Sequence, residues 1–374
     1  MKIGIACHPT YGGSGVVAAE LGMALARRGH EVHFVSYQQP FRIDPMHPGV
    51  QFHRVEVSSY PLFRYPPYAL ALANGLLDLV RSHGVRLLHA HYAIPHSIGA
   101  LLAREMCPDC RVRVITTLHG TDITLVGSEP SYGEITRWAI NSSDQVTAVS
   151  DWLASASREG FRIDKHIEVI PNFIDVDRYR PELRNDRMRE RFARPDEKLL
   201  VHVSNFRPVK RVSDVIKIFA GIAAAMPTKL VMVGEGPELA ACRKLARDLS
   251  ISDGIHWLGT VPEVAELLAC SDLLLLPSEA ESFGLVALEA MACAVPVLGT
   301  QSGGLPEVVE NNESGLLLPV GDVEQMVRRA VDLLADEPRY RSFSSAARRR
   351  AEERFSLEKV VQLYESCYER ELQT

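Results

Sequence analysis

The sequence is short of several things. No stretch is long and apolar enough to span a bilayer, which argues against a transmembrane anchor. Low-complexity segments and short repeats are absent. Charge of one sign is also scarce: 41 Lys and Arg against 47 Asp and Glu give a net charge of −6. That leaves no electrostatic case for nucleic acid, and any anionic ligand must be held by local cations or helix ends. The seven cysteines are odd in number and scattered, with Cys7, Cys270 and Cys293 in apolar segments, so most are expected to be reduced core thiols. Cys107-Pro-Asp-Cys110 has a spacing that serves redox chemistry or metals, but no second pair accompanies it and it follows a helix. A plain loop is the reading taken. The apolar run at Met1–Cys7 is too short for a signal peptide and enters a Gly-rich turn at once, so the expected location is the cytoplasm.

What is present is alternation. At 374 residues the chain exceeds one ordinary core, and both halves alternate apolar strand-like runs with helical periodicity. This predicts an α/β protein of two doubly wound, Rossmann-like domains facing across a cleft. The expected boundaries are 1–172 and 173–355, with 356–374 a helix returning to the first domain. The polar, arginine-rich stretch from Asp175 to Pro195 is read as a hinge and an exposed helix.

In the first half, Ile3–Cys7 reads as a buried strand, then a turn with Gly13, Ser14 and Gly15 opens a helix. The glycines would let a phosphate approach backbone N–H groups. The dinucleotide fingerprint fails here: Ala18 fills its third glycine, and the next strand ends in Ser36-Tyr37 without an acidic residue. A dehydrogenase is therefore disfavoured. Leu87–Tyr92 and Val112–Leu118 read as strands whose ends carry His89, His91, Tyr92, Thr117 and His119. A metal triad lacks the carboxylate or cysteine partners it would need, so no metal site is assigned. His119 is the preferred substrate contact, and Ser14, Tyr92 and Thr117 join it as donors for a small acceptor. The loop Tyr60–Tyr68, rich in Pro and aromatics, is read as a packed connection rather than a membrane lip.

The second half is organised around Glu281-Ser-Phe-Gly-Leu-Val-Ala-Leu-Glu289. It follows the apolar strand Asp272–Leu276 and runs into a helix, so its start lies at a strand's carboxyl end. Backbone N–H groups around Ser282, Phe283, Gly284, Leu285 and Val286 suit a phosphate, while Glu281 and Glu289 suit hydroxyls, Glu289 those of a ribose. The apolar flanks offer these glutamates few charged neighbours. Asn205, Arg207 and Lys210 follow another strand before a helix, where cations oppose the helix dipole unless an anion compensates them. A diphosphate fits that place. Gly259 and Val261, after a further strand, could present backbone groups to a base.

The ordered set Arg207…Lys210, Pro277-Ser-Glu-x-Glu-Ser-Phe-Gly284, Glu281-x7-Glu289 and Gly303-Gly304-x-Pro306-Glu307 resembles the retaining glycosyltransferases of family four, over essentially the whole chain. The resemblance implies the GT-B fold and metal-independent transfer from a nucleotide sugar, with no cofactor beyond that donor. Segments His8–Gly15, His89–His96, Thr116–Asp122 and Ser204–Arg207 narrow it to members using UDP-N-acetylglucosamine and L-malate in bacillithiol biosynthesis. On that basis His119, Arg207, Lys210 and Glu281 are the expected catalytic residues. Gly13, Gly15 and the second-half residues named above hold the donor. A split site implies domain closure. No nucleic acid and no stable membrane association are expected, and a homodimer is left open. Two residues depart from the family pattern: Ala294 stands where glycine is usual, and Pro208 replaces a lysine. Another small or lipid acceptor, a hydrolase or epimerase, and a non-catalytic nucleotide-sugar sensor stay open as alternatives.

Overall fold

The structure is a computed structural model and describes residues 1–10, 12–58, 62, 64–124 and 129–373. Tyr60, Pro61 and Phe63 of the aromatic loop and Tyr11 of the first turn lie outside the described residues.

Two compact units are formed, Met1–Asn172 with Leu357–Thr374, and Phe173–Ser356. Among the described residues the first unit holds seven strands: β1 (Lys2–Ala6), β2 (Glu31–Ser36), β3 (Val50–Arg54), β4 (Leu87–His91), β5 (Arg113–Leu118), β6 (Gln145–Ala148) and β7 (Glu168–Val169). Their order is β3-β2-β1-β4-β5-β6-β7. All pairings are parallel, which is why β1, β4 and β5 read as apolar runs: helices cover both faces. The edge strand β3 escapes sequence reading because only Val50 of its five residues is buried. The second unit holds β8 (Lys198–Val203), β9 (Thr228–Val233), β10 (Ile255–Gly259), β11 (Leu273–Leu276), β12 (Val297–Thr300) and β13 (Gly315–Leu318), again all parallel. The order is β10-β9-β8-β11-β12-β13. Each sheet reverses its strand order once, between β1 and β4 and between β8 and β11. Crevices at carboxyl ends of strands beside such a reversal are where open α/β sheets bind ligands.

The last helix, Leu357–Gln373, packs on the first unit. Glu365 receives Arg28 Nε at 2.8 Å and lies 2.9 Å from His30 Nε2, while Tyr364 and Tyr368 are buried against His89.

Two expectations are corrected. The stretch from Asp175 to Pro195 is not an exposed helix. It has a 3-10 turn at Pro181–Leu183 and a single helical turn at Asp186–Arg189. Its polar composition misleads because Arg189 is buried, donating to Cys270 O, Glu197 O and Asp272 Oδ2, and Tyr179 of the same stretch is buried too. Buried guanidinium persists only with such partners. Nor is Cys107–Cys110 a plain loop: the two sulfurs are bonded around the 3-10 turn Pro108–Cys110.

Candidate active site

In the second unit the loops after β8 and β11 flank the strand-order reversal, and one ion pair joins them. Lys210 Nζ lies 2.7 Å from Glu281 Oε1 and 2.9 Å from Oε2. Ser278 Oγ donates to Oε1 at 2.7 Å. Glu281 is only 9 % exposed, and a carboxylate so placed requires the cation and the hydroxyl. Glu281 is therefore not the weakly partnered group its apolar flanks suggest, and Lys210 is not a free cation awaiting a diphosphate. Arg207 differs from it: exposed, at the head of the 3-10 turn Pro208–Lys210. These cations precede the helix Val212–Ala225 rather than occupying its first turn, and Asp214 fills that turn and receives Arg211 Nε at 2.7 Å. The dipole argument thus applies to Arg211, which is already compensated.

The surrounding backbone is stitched together. Glu279 N donates to Val209 O at 2.8 Å, Gly304 N to Glu281 O at 2.7 Å, and Glu238 N to Phe206 O at 3.0 Å. A Cβ on Gly303, whose φ is +66°, would stand 2.1 Å from Glu281 O, so only glycine lets the β12 loop close on Glu281. Beneath, His202 bonds Leu275 O and Ser204 Oγ at 2.8 Å each, and burial pushes it down to about 4, so it supports the loop as a neutral ring.

Helix Leu285–Ala292 starts behind Gly284 (φ +97°) with no side-chain cap, leaving its first N–H groups for a ligand. Leu285 and Val286 are half-buried there, with Ser282. Phe283 instead turns inward, edge to face with Phe355 at 5.6 Å, so its ring belongs to the interior. Glu289 accepts from Tyr179 OH at 3.1 Å, a second glutamate with a partner the sequence did not reveal. Asn205 is exposed beside Arg207, and Gly259 and Val261 are half-buried at the end of β10.

In the first unit the reversal between β1 and β4 is bridged by aromatic rings. His8 lies 5.2 Å from Tyr92 and 4.4 Å from His96, centroid to centroid. Tyr92 has φ +95°, a conformation that costs a non-glycine residue about 1–3 kcal/mol and recurs at ligand sites. Its backbone N–H donates to Thr117 O, and its ring is 5.5 Å from His119. His119 Nε2 is 2.9 Å from His91 Nδ1. Asp122 ties the β4 and β5 loops by accepting N–H bonds from Ala93, His119 and Gly120, and burial pushes its carboxyl up to about 6. Ser14 opens helix Ser14–Arg27, where Gly13 (φ +63°) provides no side-chain cap. Gly15 serves its own loop: a Cβ would stand 2.4 Å from His8 O.

Tyr92 and His119 are thus brought together. Thr117 is not with them, because its hydroxyl points into the interior, 2.6 Å from both His89 Nε2 and Thr147 Oγ1. His89 and His91 are likewise fully buried, and His89 Nδ1 takes the hydroxyl of Tyr368 at 2.7 Å. Burial holds His89, His96 and His119 down to about 3, and His91 well below the usual range. These rings are neutral near pH 7. Among the described residues no group of three or more His, Cys, Asp or Glu is placed to hold a metal ion. His8, Asp122, Ser278 and Tyr179 were missed as site residues. The first three sit inside motifs already singled out, whereas nothing in the local pattern marks Tyr179.

Residues 184–350 match the family described as glycosyl transferases group 1, and residues 11–178 match glycosyltransferase family 4. The chain belongs to the family-four glycosyltransferases, with the GT-B fold. A relative of established name narrows the likeness: N-acetyl-alpha-D-glucosaminyl L-malate synthase of Bacillus anthracis is 47 % identical over 368 residues, covering 98 % of this chain and 96 % of that one. Among solved structures, a glycosyltransferase from Rickettsia africae (TM-score 0.82, 18 % identity, 100 % and 99 % coverage) shares the fold. So does Anabaena HepE in complex with UDP and glucose (TM-score 0.80, 19 % identity, 99 % coverage of each chain).

Proposed function

We propose that this glycosyltransferase moves N-acetylglucosamine from UDP-N-acetylglucosamine to the hydroxyl of L-malate, with retention at the anomeric carbon, as the first step of bacillithiol biosynthesis. The observation that carries the substrate assignment is the 47 % identity with the L-malate synthase across nearly the full length of both chains.

The geometry supplies a chemical rationale. As the sugar leaves, negative charge grows on the diphosphate. Arg207, Lys210 and the uncapped start of helix Leu285–Ala292 are the groups positioned to stabilise it. Glu281 holds Lys210 in place and offers its remaining lone pairs to sugar hydroxyls, and Glu289 takes the ribose. In the first unit, the uncapped N–H groups behind Gly13, with Ser14, Tyr92 and neutral His119, suit a small dicarboxylate. No carboxylate is assigned as a nucleophile. The departing phosphate oxygen takes the acceptor's proton on the face where the new bond forms, and no metal is called on.

A panel of L-malate, D-malate, lactate, citrate, inositol phosphate and simple sugars, assayed for UDP release and product mass, tests the reading. L-malate is expected among the best acceptors. UDP release without any acceptor would point instead to a hydrolase.

A further inference from the structure

The proposed glycosyl transfer leaves one motif unused. Cys107 and Cys110 have Cα atoms 5.4 Å apart, within disulfide range, and are joined. Both are half-exposed, with one wall packed on the core of the first unit. The other five cysteines, Cys7, Cys242, Cys270, Cys293 and Cys367, are free and buried, and burial pushes the thiols of Cys7, Cys293 and Cys367 up to about 12. Reactivity toward disulfides requires an accessible thiolate, so this pair alone among the seven is positioned for it.

The pair also has a cationic neighbour. A cavity of about 540 Å³ opens beside the 3-10 turn, with Pro108 of the motif in its wall. Arg86, Arg104, Arg111 and Arg113 line it, against two carboxylates, Glu105 and Asp144. Asp144 is shared between Arg104 at 3.2 Å and Arg113 at 3.0 Å, and Glu105 is taken by Arg104. Arg86 and Arg111 are exposed and face the cavity, and among the described residues no carboxylate is paired with either. Arg111 directly follows Cys110, held in the left-handed region at φ +48°. Unmatched guanidinium groups beside a reactive pair select for a carboxylate-bearing partner.

We propose that Cys107 and Cys110 form a dithiol–disulfide site for small anionic thiols and disulfides, recruited by Arg86 and Arg111. In the oxidising direction one thiolate attacks a small disulfide RSSR, forming a mixed disulfide and releasing RS⁻. The second thiolate then attacks the protein sulfur of that mixed disulfide, closing Cys107–Cys110 and releasing the second RS⁻. Two electrons pass from the protein dithiol to RSSR, and the two cysteine protons end on the two released thiols. Excess small thiol reverses both steps.

The test uses the full chain, reduced with dithiothreitol, desalted without oxygen, and exposed to glutathione disulfide (anionic) or cystamine (cationic). Quenching with an alkylating agent and peptide mass mapping read the outcome. Loss of two alkylatable thiols is expected, confined to Cys107 and Cys110 while the five buried cysteines stay reduced. Closure should be about tenfold faster with glutathione disulfide at low salt. Arg86→Ser with Arg111→Ser should erase that preference, and Cys110→Ser should trap one glutathione on Cys107 or Cys107→Ser one on Cys110. A pair that dithiothreitol cannot open in the folded protein would overturn the proposal. So would one that stays alkylatable under excess disulfide, or closes equally fast with both reagents whatever residues 86 and 111 are.

Discussion

Lys210 reaches both carboxylate oxygens of Glu281, at 2.7 and 2.9 Å, across the point where the second sheet reverses its strand order. Arg207, three residues earlier, is exposed. The two cations therefore part company under mutation. Lys210→Ala should lower turnover by two to three orders of magnitude, since a preorganised charge contributes about 3–4 kcal/mol. It should also destabilise the fold by about 2 kcal/mol, because Glu281 is left buried without its cation. Arg207→Ala should lower turnover comparably with no loss of stability. Kinetics with thermal melts of both variants check this, and equal melting losses would mean that Arg207 is buried in a pair as well.

On the proposed acceptor side, the tautomers of His91 and His119 are coupled, because His119 Nε2 lies 2.9 Å from His91 Nδ1 and one of the two neutral rings must donate. Tyr92→Phe and His91→Phe should raise KM for L-malate about tenfold while KM for UDP-N-acetylglucosamine holds, the scale of one hydrogen bond to a charged group. Thr117→Val should instead act through stability, since its hydroxyl is bonded to His89 and Thr147 inside the fold. Initial rates with each substrate varied separately decide between these patterns.

Acid should unfold the protein early. His89, His96 and His119 have folded-state values near 3, and His91 lies well below the usual range, all because burial disfavours the cation. The unfolded chain gains those protons near pH 6.5 and the folded chain does not, so stability is complete above that pH and falls as pH drops toward 3. Each ring steepens the loss by about 1.4 kcal/mol per pH unit. Asp122, raised to about 6, works in the opposite sense: its contribution favours the fold at low pH and is lost as pH rises through 6. With these four rings and His202, itself held down to about 4, against one carboxyl, the histidines dominate. Denaturation midpoints measured from pH 7 to pH 4 should fall steadily, and a flat profile would contradict the buried neutral rings.

Ala294 follows helix Leu285–Ala292 with φ +59°, in the left-handed region that suits glycine. Ala294→Gly should relieve about 1 kcal/mol of backbone strain. A raised urea midpoint with unchanged turnover is the expected result.

Much of the fold was legible because parallel strands buried on both faces announce themselves as apolar runs. Leu273–Leu276 and Arg113–Leu118 were read within a residue or two at either end. β3 was not, since an edge strand with one buried residue carries no such signal. Positions of the candidate site residues on loops were also readable, because Gly-rich turns follow strands. Their partners were not. Lys210 meets Glu281 across 71 positions and Tyr179 meets Glu289 across 110, distances over which spacing says nothing. Its place at a strand end gave Thr117 a ligand-side hydroxyl, and the returning C-terminal helix is what makes that face an interior one.

The most direct test of the proposed reaction is proton NMR of full-length protein with UDP-N-acetylglucosamine, L-malate and a chelator. The expected result is replacement of the donor's anomeric signal by one new α-configured glycoside signal, identified by its small coupling, with UDP in equal amount and no effect of the chelator. A β-configured product, free N-acetylglucosamine in place of a malate glycoside, or an unchanged donor would contradict it.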